Sequence, residues 1–150
     1  MSDPKALLIL KEIQARLQVI DGSGLYFTRI GRTVIRGQRR FSENELPASA
    51  CFMAPRSLES ESGERAKMAA SVVIEAHHAT GTHPEDTALQ MLADIQRAVE
   101  LDDETLGRLL TGRLAWAGDQ VSYPEEAGGF VSVQAVYLIP HIRHYGDPAK

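Results

Sequence analysis

Residues 74 to 86 read "IEAHHATGTHPED" and place His77, His78 and His83 within seven positions of one another, beside Glu75, Glu85 and Asp86. Imidazoles and carboxylates are metal ligands, and a histidine among acids can move protons. The spacing is therefore compatible with a small metal-dependent hydrolase built on His77, His83 and Asp86. A strand points neighbouring side chains to opposite faces, so His77 and His78 cannot both reach one ion while they stay in a strand. Thr82 followed by Glu85 matches a capping box, Pro84 suits a first helical turn, and Glu85 and Asp86 suit the positive end of a helix dipole. Both acids already have a role in starting a helix. His141 and His144, in "HIRHY", are three apart and on a strand would also face opposite sides.

Elsewhere the reactive residue types are sparse. Cys51 is the sole cysteine, so no disulfide forms within the chain, and its setting in "ASACFMAP" predicts a buried, inert thiol. There is no glycine-rich phosphate loop, no paired-cysteine metal site, no G-x-S-x-G elbow and no H-E-x-x-H helix. "GSG" at 22 to 24 follows a helical pattern and is turn chemistry. No catalytic, cofactor-binding or metal residue is expected. The arginines are a different case, because Arg29, Arg32, Arg36, Arg39 and Arg40 fall within twelve residues of a chain whose net charge is −4. They suit a solvated face, an acidic partner or neighbouring subunit, or nucleic acid. A DNA-linked accessory role rests on them alone, with only Tyr26, Phe27 and Phe41 close by to stack on bases.

These residues need elements to position them. A chain of 150 residues, 43% hydrophobic and 24% charged, fits one globular domain that buries roughly 70% of its unfolded surface. Ala6, Ile9, Leu10, Ile13, Leu17 and Ile20 recur at helical steps over 4 to 20, with Ser2 or Asp3 as cap, Pro4 in the first turn and Asp21 to Gly24 as the stop. Residues 25 to 37 predict a strand or short hairpin, "ASACFMA" a buried strand ended by Pro55, and "SLESESGE" a solvated loop. Residues 65 to 78 alternate, with Ala66, Met68, Ala70, Val72, Ile74 and Ala76 on one side, and pair with "ASACFMA". Residues 84 to 101 predict a helix with Ala88, Met91, Leu92, Ile95, Ala98 and Val99 inward and Gln90, Asp94, Arg97 and Glu100 outward. Two or three strands follow, broken at Gly118 and at 124 to 129, the last running from about 130 to 144. The sum is a single α+β domain, an antiparallel or mixed sheet covered by two main helices, in the order α-β-β-β-β-α-β-β. The apolar run Ala6 to Leu10 is broken by Lys11 and Glu12, too short for a signal peptide or a membrane span, so folding in a cytoplasm is expected.

"RTVIRGQRRFSENELPASACF", then "VVIEAHHATGTHPEDTALQMLADIQRAVEL", then "YLIPHIRHYGDP" resemble the tail-terminator, or tail-completion, proteins of long-tailed bacteriophages and prophages. In that family a basic V-x-R-G strand, an E-L-P exit, a strand ending near a D-P-E-like turn, an L-L-A-D-I helix and a final apolar strand follow in this order. Here "HPED" replaces the commoner acidic turn and "MLADI" the leucine-rich version. The resemblance implies a structural virion protein without cofactor or reaction. It would form a homo-oligomeric ring, a hexamer, on the tail tube protein, end tail polymerisation and offer the head-attachment surface to a neck or head-completion protein. DNA would pass through the lumen without sequence-specific binding, no membrane would be involved, and assembly would take place in the host bacterial cytoplasm. Head-to-tail interfaces join unlike surfaces, so the expected contact sets Arg32, Arg36, Arg39 and Arg40 against Glu59, Glu61 and Glu64 of a neighbour. A neck or head–tail connector protein is the alternative within the same class.

Overall fold

Ile9, Ile13 and Leu17 are fully buried along one stripe of α1 (Lys5–Leu17), the helix that the apolar spacing predicts. The computed structural model describes residues 2–123 and 129–150. Neither Ser2 nor Asp3 caps α1. Pro4 holds the cap position without a side-chain bond, and Asp3 pairs with Lys11 at 2.5 Å. The strand or hairpin expected at 25 to 37 shrinks to β1 (Val34–Arg36), preceded by a 3-10 turn at Ile30–Arg32. Gly31 explains the difference. Its N–H donates to the Ile20 carbonyl at 2.9 Å, and a Cβ there would lie 2.3 Å from the Leu17 carbonyl oxygen, so the chain is pressed against the end of α1.

The remaining elements are β2 (Ala48–Met53), β3 (Ser57–Ser62), β4 (Arg65–Ala69), β5 (Ser71–Ala79), α2 (Pro84–Glu100), β6 (Ala115–Ser122), β7 (Phe130–Leu138) and β8 (His141–His144). They form a five-stranded sheet, β1-β2-β5-β7-β6, and a three-stranded sheet, β3-β4-β8. β1 is parallel to β2 and every other pairing is antiparallel. The smaller sheet continues the larger one. β2, β5 and β7 are interrupted at one level and resume as β3, β4 and β8, and the ladder nearly crosses the break through Ala54 N–H to Ser71 O at 3.0 Å and Ile139 N–H to Ala70 O at 2.9 Å. Pro55 and Pro140 sit in that break, where a residue without an N–H cannot keep a ladder running.

The α+β class and the order of helix, strands, helix, strands are as the sequence implies, with strands numbering five and then three. The single strand expected over 65 to 78 is β4 and β5, and the one over 130 to 144 is β7 and β8. "SLESES" is β3 and not a loop, although all six of its residues are exposed. With neither face covered, β3 has no buried residues to write an alternation into its sequence. Gly118 marks a bulge inside β6, between Trp116 and Gly118, and not a break. The break expected at 124 to 129 lies outside the described residues except at Gly129.

Both helices lie on one side of the larger sheet, α1 over β1 and β2 and α2 over β7. Val72, Ile74 and Ala76 of β5 and Val131, Val133, Ala135 and Tyr137 of β7 pack there against Ile13, Met91, Ile95 and Val99. On the other side a smaller cluster joins Phe41, Ala48 and Ala50 with Ile35 and Leu46. Asp94 corrects the sequence reading, because it is 1% exposed and not outward. Its carboxylate accepts hydrogen bonds from Phe27 N–H at 2.9 Å, Thr28 N–H at 2.7 Å and the Thr28 hydroxyl at 2.7 Å. That ties α2 to the segment leading into β1. Arg16 makes a second tie, donating from α1 to the Val99 and Asp103 carbonyls at 2.9 and 2.6 Å.

Candidate functional site

The histidines are built into the sheet, each with its own neighbours. On β5, His77 stands opposite Ala48 and Ser132, on the side away from the helices. Its Nδ1 lies 2.6 Å from the Ser132 hydroxyl, and its ring sits 5.5 Å from that of Phe41 and 5.7 Å from that of Phe130. A hydroxyl on an imidazole begins a nucleophile–base pair, but such a pair needs a third group to orient the base. Among the described residues the buried His77 Nε2 has no hydrogen-bond partner, so they supply no such third member. Burial lowers the His77 pKa, with Glu75 opposing weakly.

His78 points to the opposite face, as its place in a strand demands, with Nδ1 2.9 Å from the Ala79 carbonyl oxygen. His83 is exposed at the cap position of α2 and makes no side-chain cap bond, so the Thr82 and Glu85 capping box does not form. Among the described residues no group of three or more His, Cys, Asp or Glu could hold a metal ion. His77, His83 and Asp86 are not brought together as a ligand set. His141 is 1% exposed between the Ile139 carbonyl, 2.9 Å from Nδ1, and Arg56, 3.2 Å from Nε2. Cys51 is fully buried, which pushes its thiol up to about 11, so the expected burial of this thiol holds.

The charged surfaces are the other candidates. Arg32, Arg36, Arg39 and Arg40 are all exposed. Arg39 pairs with Glu45 and lies 5.3 Å from the Phe41 ring centroid. Among the described residues Arg32, Arg36 and Arg40 make no ion pair within the chain. Glu59, Glu61 and Glu64 are exposed on β3 and the turn to β4. Glu59 pairs with Lys67 at 3.3 Å, Glu61 sits beside the Tyr145 hydroxyl and raises its pKa, and the Glu64 carbonyl accepts the Tyr145 N–H at 3.0 Å. The two sets do not meet inside one chain. Phe41, next to Arg39 and Arg40, packs on His77 opposite Ala48 at the start of β2, whereas Glu61 lies beyond the break in β3. At about 3.3 Å per residue the ribbon between these positions is roughly 40 Å long.

A groove that the sequence reading did not single out runs between α2 and the edge strand β6. It encloses about 440 Å³ between Leu89, Leu92, Gln96, Glu100, Trp116 and Asp119, with Tyr137 also lining it. Trp116 is 57% exposed and Leu89 54%. The one signal in the sequence was the lone tryptophan in "LAWAGD", a large aromatic beside small residues on an expected strand. No helix among the described residues is long and apolar enough to cross a membrane. No protein-family model matches this chain, and no curated protein matches it.

Proposed function

We propose that this chain is the subunit of a ring that caps the tail tube of a long-tailed phage or prophage, ends tube polymerisation and presents the surface to which the head attaches. The order of motifs from "VIRG" through "ELP" and "LADI" to the final apolar strand supports it. The observation that carries it is β3, a strand hydrogen-bonded to β4 alone with all six residues exposed. A strand with two bare faces and an open edge is a poor element in a lone subunit and a useful one in an assembly, where a neighbour covers it. Segregated charge adds support. Arg32, Arg36 and Arg40 are free of ion pairs within the chain among the described residues, while Glu59, Glu61 and Glu64 cluster beyond the break in the ribbon. A basic surface and an acidic one at separate places suit head-to-tail contacts, in which the arginines meet acids of the next subunit and the hairpin acids are one such surface. The partners on this reading are further copies of the chain, six to a ring, the tube protein on one side and a neck or head-completion protein on the other.

Electron microscopy of particles produced with and without the protein tests the proposal. Overlong, headless tails in its absence are the expected result. Normal tails with filled heads would refute it, and normal-length tails that fail to join heads would move the protein into the neck.

A further inference from the structure

The two helices cover the larger sheet mainly over β1, β2 and β7, so the helix side of β6 is covered only in part: Val121 packs on the core, while Trp116 and Asp119 face the groove that β6 shares with α2. Two carboxylates converge on it. The Tyr137 hydroxyl donates to Glu100 at 2.9 Å, and both Glu100 and Asp119 act on that phenol, which burial and their charge hold above its ordinary pKa. Among the described residues no lysine, arginine or histidine lines the groove. A half-exposed indole beside two carboxylates and no cation is the complement of a guanidinium, which stacks on an indole face and pairs with carboxylates in a plane.

We infer that this groove receives the arginine-bearing β1 edge of a second copy of the chain, Arg36 foremost. The inference rests on the ring reading and names its lateral interface. Arg36 lies on the helix side of the sheet, close enough to the core-facing Cys51 for its charge to act on that thiol. The arginine edge and the groove therefore share one side of the sheet and occupy its opposite edges, β1 and β6. Joining one edge to the other leaves an open chain of copies with an unused groove at one end and an unused arginine edge at the other, so the contact repeats until the ring closes. The hairpin acids fit the arginines less well, because Glu59 is held by Lys67 and Glu61 sits beside Tyr145. They remain available to a partner on another side of the ring.

Cysteine pairs in the otherwise native chain test this, since the native Cys51 is fully buried with its thiol pushed up to about 11. A short bismaleimide is added to Gln38→Cys/Ala117→Cys, at exposed positions beside Arg36 and Trp116 that spare the charged groups, and to Gln38→Cys/Ser62→Cys, beside Glu61, at concentrations up to about 1 mM, high enough to populate a weak contact. The first pair should give a ladder of cross-linked multimers and the second should not. In parallel, Trp116→Ala and Asp119→Asn, both at exposed positions, should each weaken self-association of the otherwise native chain at least about tenfold by sedimentation. A ladder from the Ser62 pair alone would make the hairpin the acceptor and overturn the inference. So would unchanged self-association in both groove variants, or a wild-type chain that stays monomeric at about 1 mM. A groove capturing some other protein would appear as a native chain that assembles with no ladder from the first pair. None of these results bears on tail length in microscopy, which tests the ring reading separately.

Discussion

Arg56 has no acceptor atom, so its 3.2 Å contact with Nε2 of His141 requires that ring to be neutral, with its proton on Nδ1 and donated to the Ile139 carbonyl. Protonation would bring a second positive charge against the guanidinium inside the protein. The His141 pKa is accordingly lowered from 6.5, first by burial and then by the charges of Arg56 and Lys5 after an opposing hydrogen bond to Ile139, and burial lowers that of His77 in the same way. The unfolded chain then binds more protons than the folded one as pH drops. The stability these rings contribute is full above pH 6.5 and is lost as pH falls through 6.5 toward the folded values. Urea midpoints should be lower at pH 5 than at pH 7.5, and His141→Gln should flatten part of that difference. Equal midpoints in the wild-type chain would mean the rings are solvated. Cys51 gives a second expectation at this scale. A thiol pushed up to about 11 and fully buried should resist maleimide at pH 8 in the native state and react on unfolding, and rapid native labelling would contradict its burial.

Single side chains also decide where whole elements sit, and Asp94 is the clearest instance. Removing its carboxylate in Asp94→Ala would strand the N–H groups of Phe27 and Thr28 and the Thr28 hydroxyl, at a cost of about 2–4 kcal/mol in unfolding free energy, with Asp94→Asn falling between the two. A loss under about 0.5 kcal/mol would place that segment's anchorage elsewhere. Gly31→Ala should be at least as damaging, because the added Cβ meets two backbone oxygens of the α1 terminus at 2.3 and 2.6 Å and neither can move without unwinding the helix end. Chemical denaturation of both variants settles the ranking. Asp94 also shows what a sequence conceals. α1, β5 and β7 were legible because burial on one face imposes a period on their residues, and α2 was legible for the same reason from Ala88 to Val99. A buried aspartate looks like a surface residue in that pattern, since only the arriving backbone of Thr28, sixty-six residues away, makes its burial tolerable.

For the molecule as a whole, the feature least visible in the sequence is the common break through three strands. Pro55 and Pro140 hint at two of the interruptions, but the third falls at Ala70, inside an alternation from Ala66 to Ala76 that never falters because every member of it is buried on both sides of the break. Periodicity records which face is covered and not whether the ladder is continuous, so one long strand was the natural expectation. The same reasoning hid the groove, because nothing local to β6 or α2 tells how far a helix reaches across a sheet. Beyond the break the smaller sheet has unequal support. β4 keeps Ala66 and Met68 buried and is flanked on both edges, whereas β3 has six exposed residues and one partner strand. Opening β3 therefore exposes almost no apolar surface and breaks only its bonds to β4, while opening β5 uncovers Val72, Ile74 and Ala76 and dismantles the core. In the free subunit, amides of 57 to 62 should exchange with solvent at least about tenfold faster than those of 71 to 79. Protection of β3 should rise when the chain is incorporated into tails, if a neighbour covers it there. Equal protection of β3 and β5 in the isolated chain would mean that the arm is already supported without a partner, and the case for an assembly built on it would lose its physical basis.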